Sequence, residues 1–255
     1  MSAPKALPPF PSTPLAGVSL PSTPLVKATY SYIHLHTSPT VANHTIRSAF
    51  FSLILRGKLT EFSTVDPETV VVATLLHDLG WSFTSELVSK DNRFEVDGAN
   101  VARDFVRTHF RSQTRNSDRE KWDEEHLDRL WYAIALHTTP SLALHAPALT
   151  ALTERAISAD FFGPNFQFPG ARKASVQLIT PAEVKEILHA YPRLGFKEEL
   201  REIMCGLCRS KPQATFDNFA ADFGKRLVPG YIEKLEDASQ MKRLEGGLDA
   251  TVQFE

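Results

Sequence analysis

An all-α fold with an extended proline-rich arm at its N-terminus is what this chain predicts, and three observations carry that reading. Apolar residues recur with a helical period in segment after segment. In Val70–Trp81 (VVVATLLHDLGW), Val71, Val72, Leu75, Leu76 and Leu79 turn one stripe toward a core. Helix punctuation stands where those segments begin and end: Asp66 as N-cap before Pro67 at the first helical position, and Gly57 at the close of the preceding helix. Strand-type alternation is nearly absent.

The elements follow in order. Residues 1–26 are rich in proline and contain PSTPL twice, at Pro11–Leu15 and Pro21–Leu25, which reads as an extended arm packed along the body or against a partner chain. Residues 27–255 read as a single helical domain. A first helix is expected from about Lys27 to just before Pro39, with His34 and His36 as surface or packing residues. A second is expected from about Thr40 to Arg56, with Val41, Ile46, Phe50, Leu53 and Ile54 on its apolar face. The third runs from Pro67 to Leu79. After a polar loop at 90–93, helices are expected at about 95–110, 124–136, 147–162, 181–190 and 196–208. The charged residues 111–121 read as a solvated loop, and GPNFQFPG at 163–170 as a turn-rich one. The tail after Phe219 mixes a helix with a polar end.

Composition removes several function classes. Hydrophobic residues at 42% and charged residues at 23% are globular values, and 255 residues are enough to bury a real core. A net charge of -2 gives no reason to expect nucleic acid or an anionic membrane as partner. No apolar run is long enough to span a bilayer, and the early prolines interrupt any signal-peptide helix. Two cysteines do not make a secreted disulfide scaffold, so a cytoplasmic protein is expected. Cys205 and Cys208 lack a second pair for zinc and a βαβ context for redox chemistry, and they suit two buried small residues on an apolar helix.

The chemistry gathers on a few polar residues in apolar surroundings. His77 and Asp78 stand side by side on the most hydrophobic segment, just before Gly80. Burying an imidazole beside a carboxylate is costly unless a cation offsets it, and both side chains are ligands for zinc or another first-row metal. His44 lies in the second helix, His109 ends the fourth, His137 closes LWYAIALH, and Asp160 ends LTERAISAD. Taken singly, each has an ordinary role as a core histidine, a helix-end cation or a turn cap.

Jointly, the order His44…His77–Asp78…Asp160 resembles the metal-binding pattern of the HD superfamily of metal-dependent hydrolases, an all-α fold. That resemblance implies a metal held by His44, His77, Asp78 and Asp160. Two departures narrow it. HD phosphohydrolases often follow the His-Asp pair with Gly-Lys, and Trp81 stands here in place of that lysine. Two-metal members carry a further histidine before a Gly-Ala step, and Phe94 occupies that position in FEVDGA, which implies a mononuclear site.

Within the superfamily the chain resembles the fungal cyanamide hydratases. It does so through PSTPL, HTSPTVANHTIRSAFF at 36–51, LLHDLG at 75–80, FEVDGA at 94–99, AIALH at 133–137, ISADFFG at 157–163 and YPRLGF at 191–196. What this implies is hydration of the nitrile carbon of cyanamide, or a similarly small nitrile-like compound, to urea. Zinc lowers the pKa of bound water to about 7, and the hydroxide attacks that carbon. Asp78 or Asp160 would relay the water proton while holding the metal, and His137 would donate to or orient the substrate nitrogen, having a helix-end cation as its other reading. Asn43 and Glu95 either fix ligand orientation or act as cap and surface residues. Zn2+ suits a reaction without redox change, and Fe2+ or Mn2+ would also accept these ligands. The expected partner is a small neutral substrate, with homo-oligomer formation open. The alternative is a phosphohydrolase using the same ligands, with Arg47, Lys90 and Arg93 as basic residues for phosphate.

Overall fold

The computed structural model describes residues 7–111, 121–165 and 178–254. The centre of the 111–121 loop and the second half of the 163–170 loop lie outside the described residues. The chain divides into two compact units, residues 1–89 with 94–196 and residues 90–93 with 197–255. Among the described residues there is no β-strand; a single isolated bridge pairs Leu15 with Val18.

In the first unit the arm is extended up to Thr23, broken by a tight turn at Leu15–Val18. Ala16 and Gly17 are left-handed there, and the Ala16 N–H donates to Glu186 at 2.8 Å, pinning the turn. Helix α1 (Pro24–His36) starts three residues before the expected Lys27, because Pro24 takes the first position and Thr23 caps the N–H of Val26. Helix α2 (Pro39–Lys58), capped by Ser38, continues through Gly57, with the N–H of Leu59 donating to the carbonyl of Leu55.

Helix α3 (Pro67–Leu76) departs from expectation twice. It buries every residue from Thr69 to Leu76 rather than one stripe, and it ends at Leu76 rather than Leu79. Thr74 returns its hydroxyl to the carbonyl of Val70, so the one late polar residue costs no unpaired group. The early end has a steric cause further along the chain. A Cβ on Gly80 would sit 1.9 Å from the carbonyl oxygen of Phe94, and one on Gly98 would sit 2.9 Å from that of His77. Only glycines let the start of the next helix approach so closely, and the chain leaves α-geometry at Asp78 (φ -99°, ψ 19°) into a 3-10 turn at Leu79–Trp81.

Helices α4 (Phe94–Arg111), α5 (Glu124–Ala135), α6 (Pro140–Ala143), α7 (Ala148–Phe162) and α8 (Pro181–Ala190) complete this unit. Helix α2 lies between α3 and α7, α5 bridges α4 and α7, and α1 covers α3. Phe50, Phe51, Leu55, Leu75, Leu76 and Leu79 are among the largest fully buried side chains, and each such side chain contributes roughly 1.5–3 kcal/mol by burial.

The second unit holds α9 (Phe196–Ser210, past its first residue), α10 (Ala220–Leu227), α11 (Tyr231–Asp237) and α12 (Gln240–Thr251). Its centre is Tyr231, whose ring lies so near Gly224 that a Cβ there would come within 2.6 Å, and whose hydroxyl meets that of Thr215 at 2.8 Å. Cys205 and Cys208 are free and buried; Cys208 donates to the carbonyl of Ala220, and burial pushes its thiol up. The 90–93 loop joins this unit through Arg93 with Asp217 and through Gln213, which donates to the carbonyl of Lys90. No described helix is long and apolar enough to cross a membrane.

Candidate metal centre

The early end of α3 decides the site. Adjacent helical side chains diverge, but His77 is the last residue with α-helical dihedrals and Asp78 has left the helix. Both therefore face one point, which His44 reaches from α2. His77 Nε2 lies 3.3 Å from His44 Nε2 and 3.0 Å from Asp78 Oδ2, and His44 Nε2 lies 3.5 Å from the same oxygen. All three residues are buried, and one donor atom from each falls in a common cluster. His137, from the end of α5, stands at its edge with Nε2 3.7 Å from Asp78 Oδ1 and its ring edge-on to His77.

The tautomers follow from what each Nδ1 meets. His77 Nδ1 is 2.8 Å from the carbonyl of Thr74, and His137 Nδ1 is 2.6 Å from that of Ile134. A carbonyl only accepts, so both Nδ1 atoms carry the proton. His44 Nδ1 lies 2.6 Å from Asp160 Oδ2, a carboxylate held far below the usual range. Burial alone would raise that carboxyl, and hydrogen bonds from His44 and Arg47 more than reverse it. His44 is thus also a donor at Nδ1. Burial lowers the pKa of His44 and, with His77 nearby, drives His137 down to about 4, so both are neutral at pH 7.

Three Nε2 atoms therefore converge on or beside a buried carboxylate. Neither oxygen of Asp78 makes a hydrogen bond of good geometry, and its nearest polar neighbours are His77 Nε2 at 3.0 Å and His44 Nε2 at 3.5 Å. Buried anions are otherwise paired, and a cation among these donors would complete the carboxylate. Metal–ligand bonds of about 2.0–2.1 Å at tetrahedral angles separate donors by about 3.3 Å, close to the spacings found. The residues fit a divalent metal.

The other expected site residues fall around this cluster. Asp160 approaches His44 from the Nδ1 side. Arg47 donates to both of its oxygens, through Nε to Oδ1 and Nη2 to Oδ2, each at 2.7 Å. Asn43 points elsewhere and donates to the carbonyl of Pro192 at 2.9 Å. Glu95 is fully buried and accepts a hydrogen bond from Thr138, the neighbour of His137. His109 packs between Phe105 and Phe110 and is not in the cluster. Phe94 is buried with its ring against both Trp81 and His137, so the place expected to lack a second-metal histidine is apolar.

Sequence reasoning offered Arg47 as a basic residue for phosphate, whereas it is spent on Asp160, and it passed over Phe196. Arg47 sits one turn after His44 on α2, and that spacing was the available signal. Phe196 stacks on the His44 imidazole with centroids 4.6 Å apart, and nothing local in the sequence announces it.

A search of curated proteins returned no match to the chain. Residues 41–160, from the helix bearing His44 to the helix end bearing Asp160, match the model of the HD domain, and the His-His-Asp cluster lies within that stretch.

Proposed function

We propose that this chain is a zinc-dependent hydratase that adds water to the nitrile carbon of cyanamide, or of a similarly small nitrile-like compound, to give urea. The observation that carries the choice of a neutral substrate is the commitment of Arg47. It is fully buried, its Nε and Nη2 bind Asp160, and its Nη1 donates to the carbonyls of Tyr191 and Pro192. These four bonds engage all three nitrogens of the guanidinium within the protein and leave little of it for a phosphate. Trp81 puts an indole where a phosphate-binding lysine would stand.

When bound by His44, His77 and Asp78, a divalent metal supplies a Lewis acid that lowers the pKa of water toward neutrality. Zinc is favoured because hydration involves no redox change, and iron or manganese would accept the same donors. The protein's own part is positioning and proton transfer. Hydration places the water oxygen on the nitrile carbon and one water proton on the nitrile nitrogen, giving an isourea that tautomerises to urea. His137 Nε2 is unprotonated, buried and next to Asp78, so it can take that proton and return it to nitrogen. Its Nδ1 bond to Ile134 fixes the ring for this exchange. Asp160, gripped by Arg47, orients His44 through Nδ1.

A phosphohydrolase reading retains one supporting observation. Arg193 is partly exposed with Nη1 3.7 Å from Asp160 Oδ2, which leaves one cation near the ligand set. The deciding experiment incubates zinc-loaded protein with cyanamide and measures urea, with His77→Ala as control. Urea from the parent and none from the variant supports the hydratase. A zinc-loaded parent that makes no urea but hydrolyses a phosphate ester overturns it.

A further inference from the structure

We propose that Phe196 is a positioning residue of the metal centre, which holds the His44 imidazole in the plane that presents Nε2 to His77 and Asp78. This rests on the reading of the His-His-Asp cluster as a metal site. His44 and His77 are held in different ways. His77 is fixed within its own turn, by the carbonyl three residues back. His44 has no such local partner. Its Nδ1 bond to Asp160 crosses 116 residues of sequence and sets the direction of one ring atom, leaving the ring free to tilt about that bond.

The segment from Tyr191 to Phe196 supplies what is missing. Asn43 and Arg47, flanking His44 on α2, donate to the carbonyls of Tyr191 and Pro192, and Arg193 donates to the carbonyl of Asp160. The segment is thus tied to the elements that carry two of the site residues. Its backbone then passes through two consecutive left-handed residues, Leu194 (φ 51°) and Gly195 (φ 82°). For leucine this conformation is unfavourable, and the Leu194 side chain gains little from it, being 57% exposed. What the bend delivers is Phe196, which is 3% exposed. Its ring lies nearly parallel to His44 (interplanar angle 23°, centroids 4.6 Å apart) and under the Arg47 guanidinium at 5.9 Å. Phe161 packs on both rings, at 5.1 Å from His44 and 5.6 Å from Phe196. A flat aromatic face against the imidazole removes the tilt that the Asp160 bond leaves open.

The test compares parent protein with Phe196→Leu and Phe196→Tyr, using zinc affinity by chelator competition and the visible spectrum of the Co2+-loaded protein. Leucine keeps the apolar contact but not the flat face, and tyrosine keeps both. Phe196→Leu is expected to weaken zinc binding about tenfold and to shift the Co2+ bands, with Phe196→Tyr restoring both. If Phe196→Leu does not fold, Phe196→Met replaces it. A leucine or methionine variant with parental affinity and parental Co2+ bands would show that Phe196 only fills the core, and this inference fails alone. A parent that binds neither zinc nor Co2+ overturns the metal reading, and this inference with it.

Discussion

Asp78 and Asp160 are the same residue in nearly the same burial, each 1% exposed beside His44, and they are satisfied in opposite ways. Asp160 accepts from Arg47 at both oxygens and from His44 at one of them. Asp78 accepts from nothing. A protein can neutralise a buried carboxylate with its own guanidinium, or leave it facing lone pairs where an external cation completes it. The first arrangement builds structure and the second builds a binding site. Two buried acids a few ångströms from one imidazole thus divide the labour: Asp160 sets how His44 is held, and Asp78 sets what His44 and His77 can hold.

The largest expected effect breaks the comparison at Asp160. Asp160→Asn leaves the Arg47 charge buried without its counter-ion, and removing one partner of a buried pair costs about 3–5 kcal/mol. Asp78→Asn in metal-free protein should be neutral or slightly stabilising, because an amide N–H can donate to the lone pair of His77 Nε2. Urea unfolding in the presence of a chelator measures both. Equal losses in the two variants would mean that Asp78 is as well paired as Asp160, and the division of labour would not hold.

Metal narrows the gap between the two variants. Zinc at a free concentration of about 100 times its Kd should stabilise the parent by about 2.7 kcal/mol, and Asp78→Asn should lose nearly all of that gain. Thermal unfolding with and without zinc reads it directly. A zinc response that survives Asp78→Asn would place the metal elsewhere.

Much of this was legible in the sequence, and the illegible part has a common cause. The all-α class and the capped start of α3 at Asp66–Pro67 rest on short-range pattern, and the grouping of His44, His77 and Asp78 on a resemblance in residue order. The reach of Asp78 toward its neighbour's partner was not legible, because the helix ends early for a reason 14 residues away, where the Phe94 carbonyl presses on Gly80. Arg47 was read as a basic residue for phosphate, and its burial was not legible because the carboxylate that makes it tolerable, Asp160, lies on a distant helix. Phe196 was invisible for the same reason: its function lies in a ring stacked on a residue 152 positions earlier. Periodicity and caps report what a segment does to itself. They do not report which carboxylate a guanidinium will meet.

The glycine contact allows the Asp78 side of the comparison to be moved without touching a ligand. Gly98→Ala places a methyl 2.9 Å from the His77 carbonyl, so the His-Asp turn must shift by a few tenths of an ångström. Overpacking of this kind costs about 1–3 kcal/mol. The zinc-dependent gain in thermal unfolding should fall as well, since His77 moves with its backbone. An alanine variant that loses stability but keeps the full zinc response would separate the turn from the metal centre.

The smallest effect comes from a third acid, one satisfied by neither guanidinium nor metal. Asp66 caps α3, accepting from the backbone N–H of Thr69 at 2.9 Å and from its hydroxyl at 2.8 Å, with Lys121 at 3.0 Å. Partial burial pushes its carboxyl up, and the Thr69 hydrogen bonds together with Lys121 bring it below its ordinary value. A carboxyl whose folded pKa is lowered contributes stability above its unfolded pKa of about 3.9, and loses it as the pH falls through the folded value. Asp66→Ala should therefore cost about 1 kcal/mol at pH 7, the usual worth of an N-cap, with zinc binding unchanged. The difference in unfolding free energy between parent and variant should shrink once the pH drops below about 3.9. A gap that stays constant down to pH 2 would mean that the cap contributes through the shape of the side chain rather than its charge, and Asp66 would then belong with neither Asp78 nor Asp160.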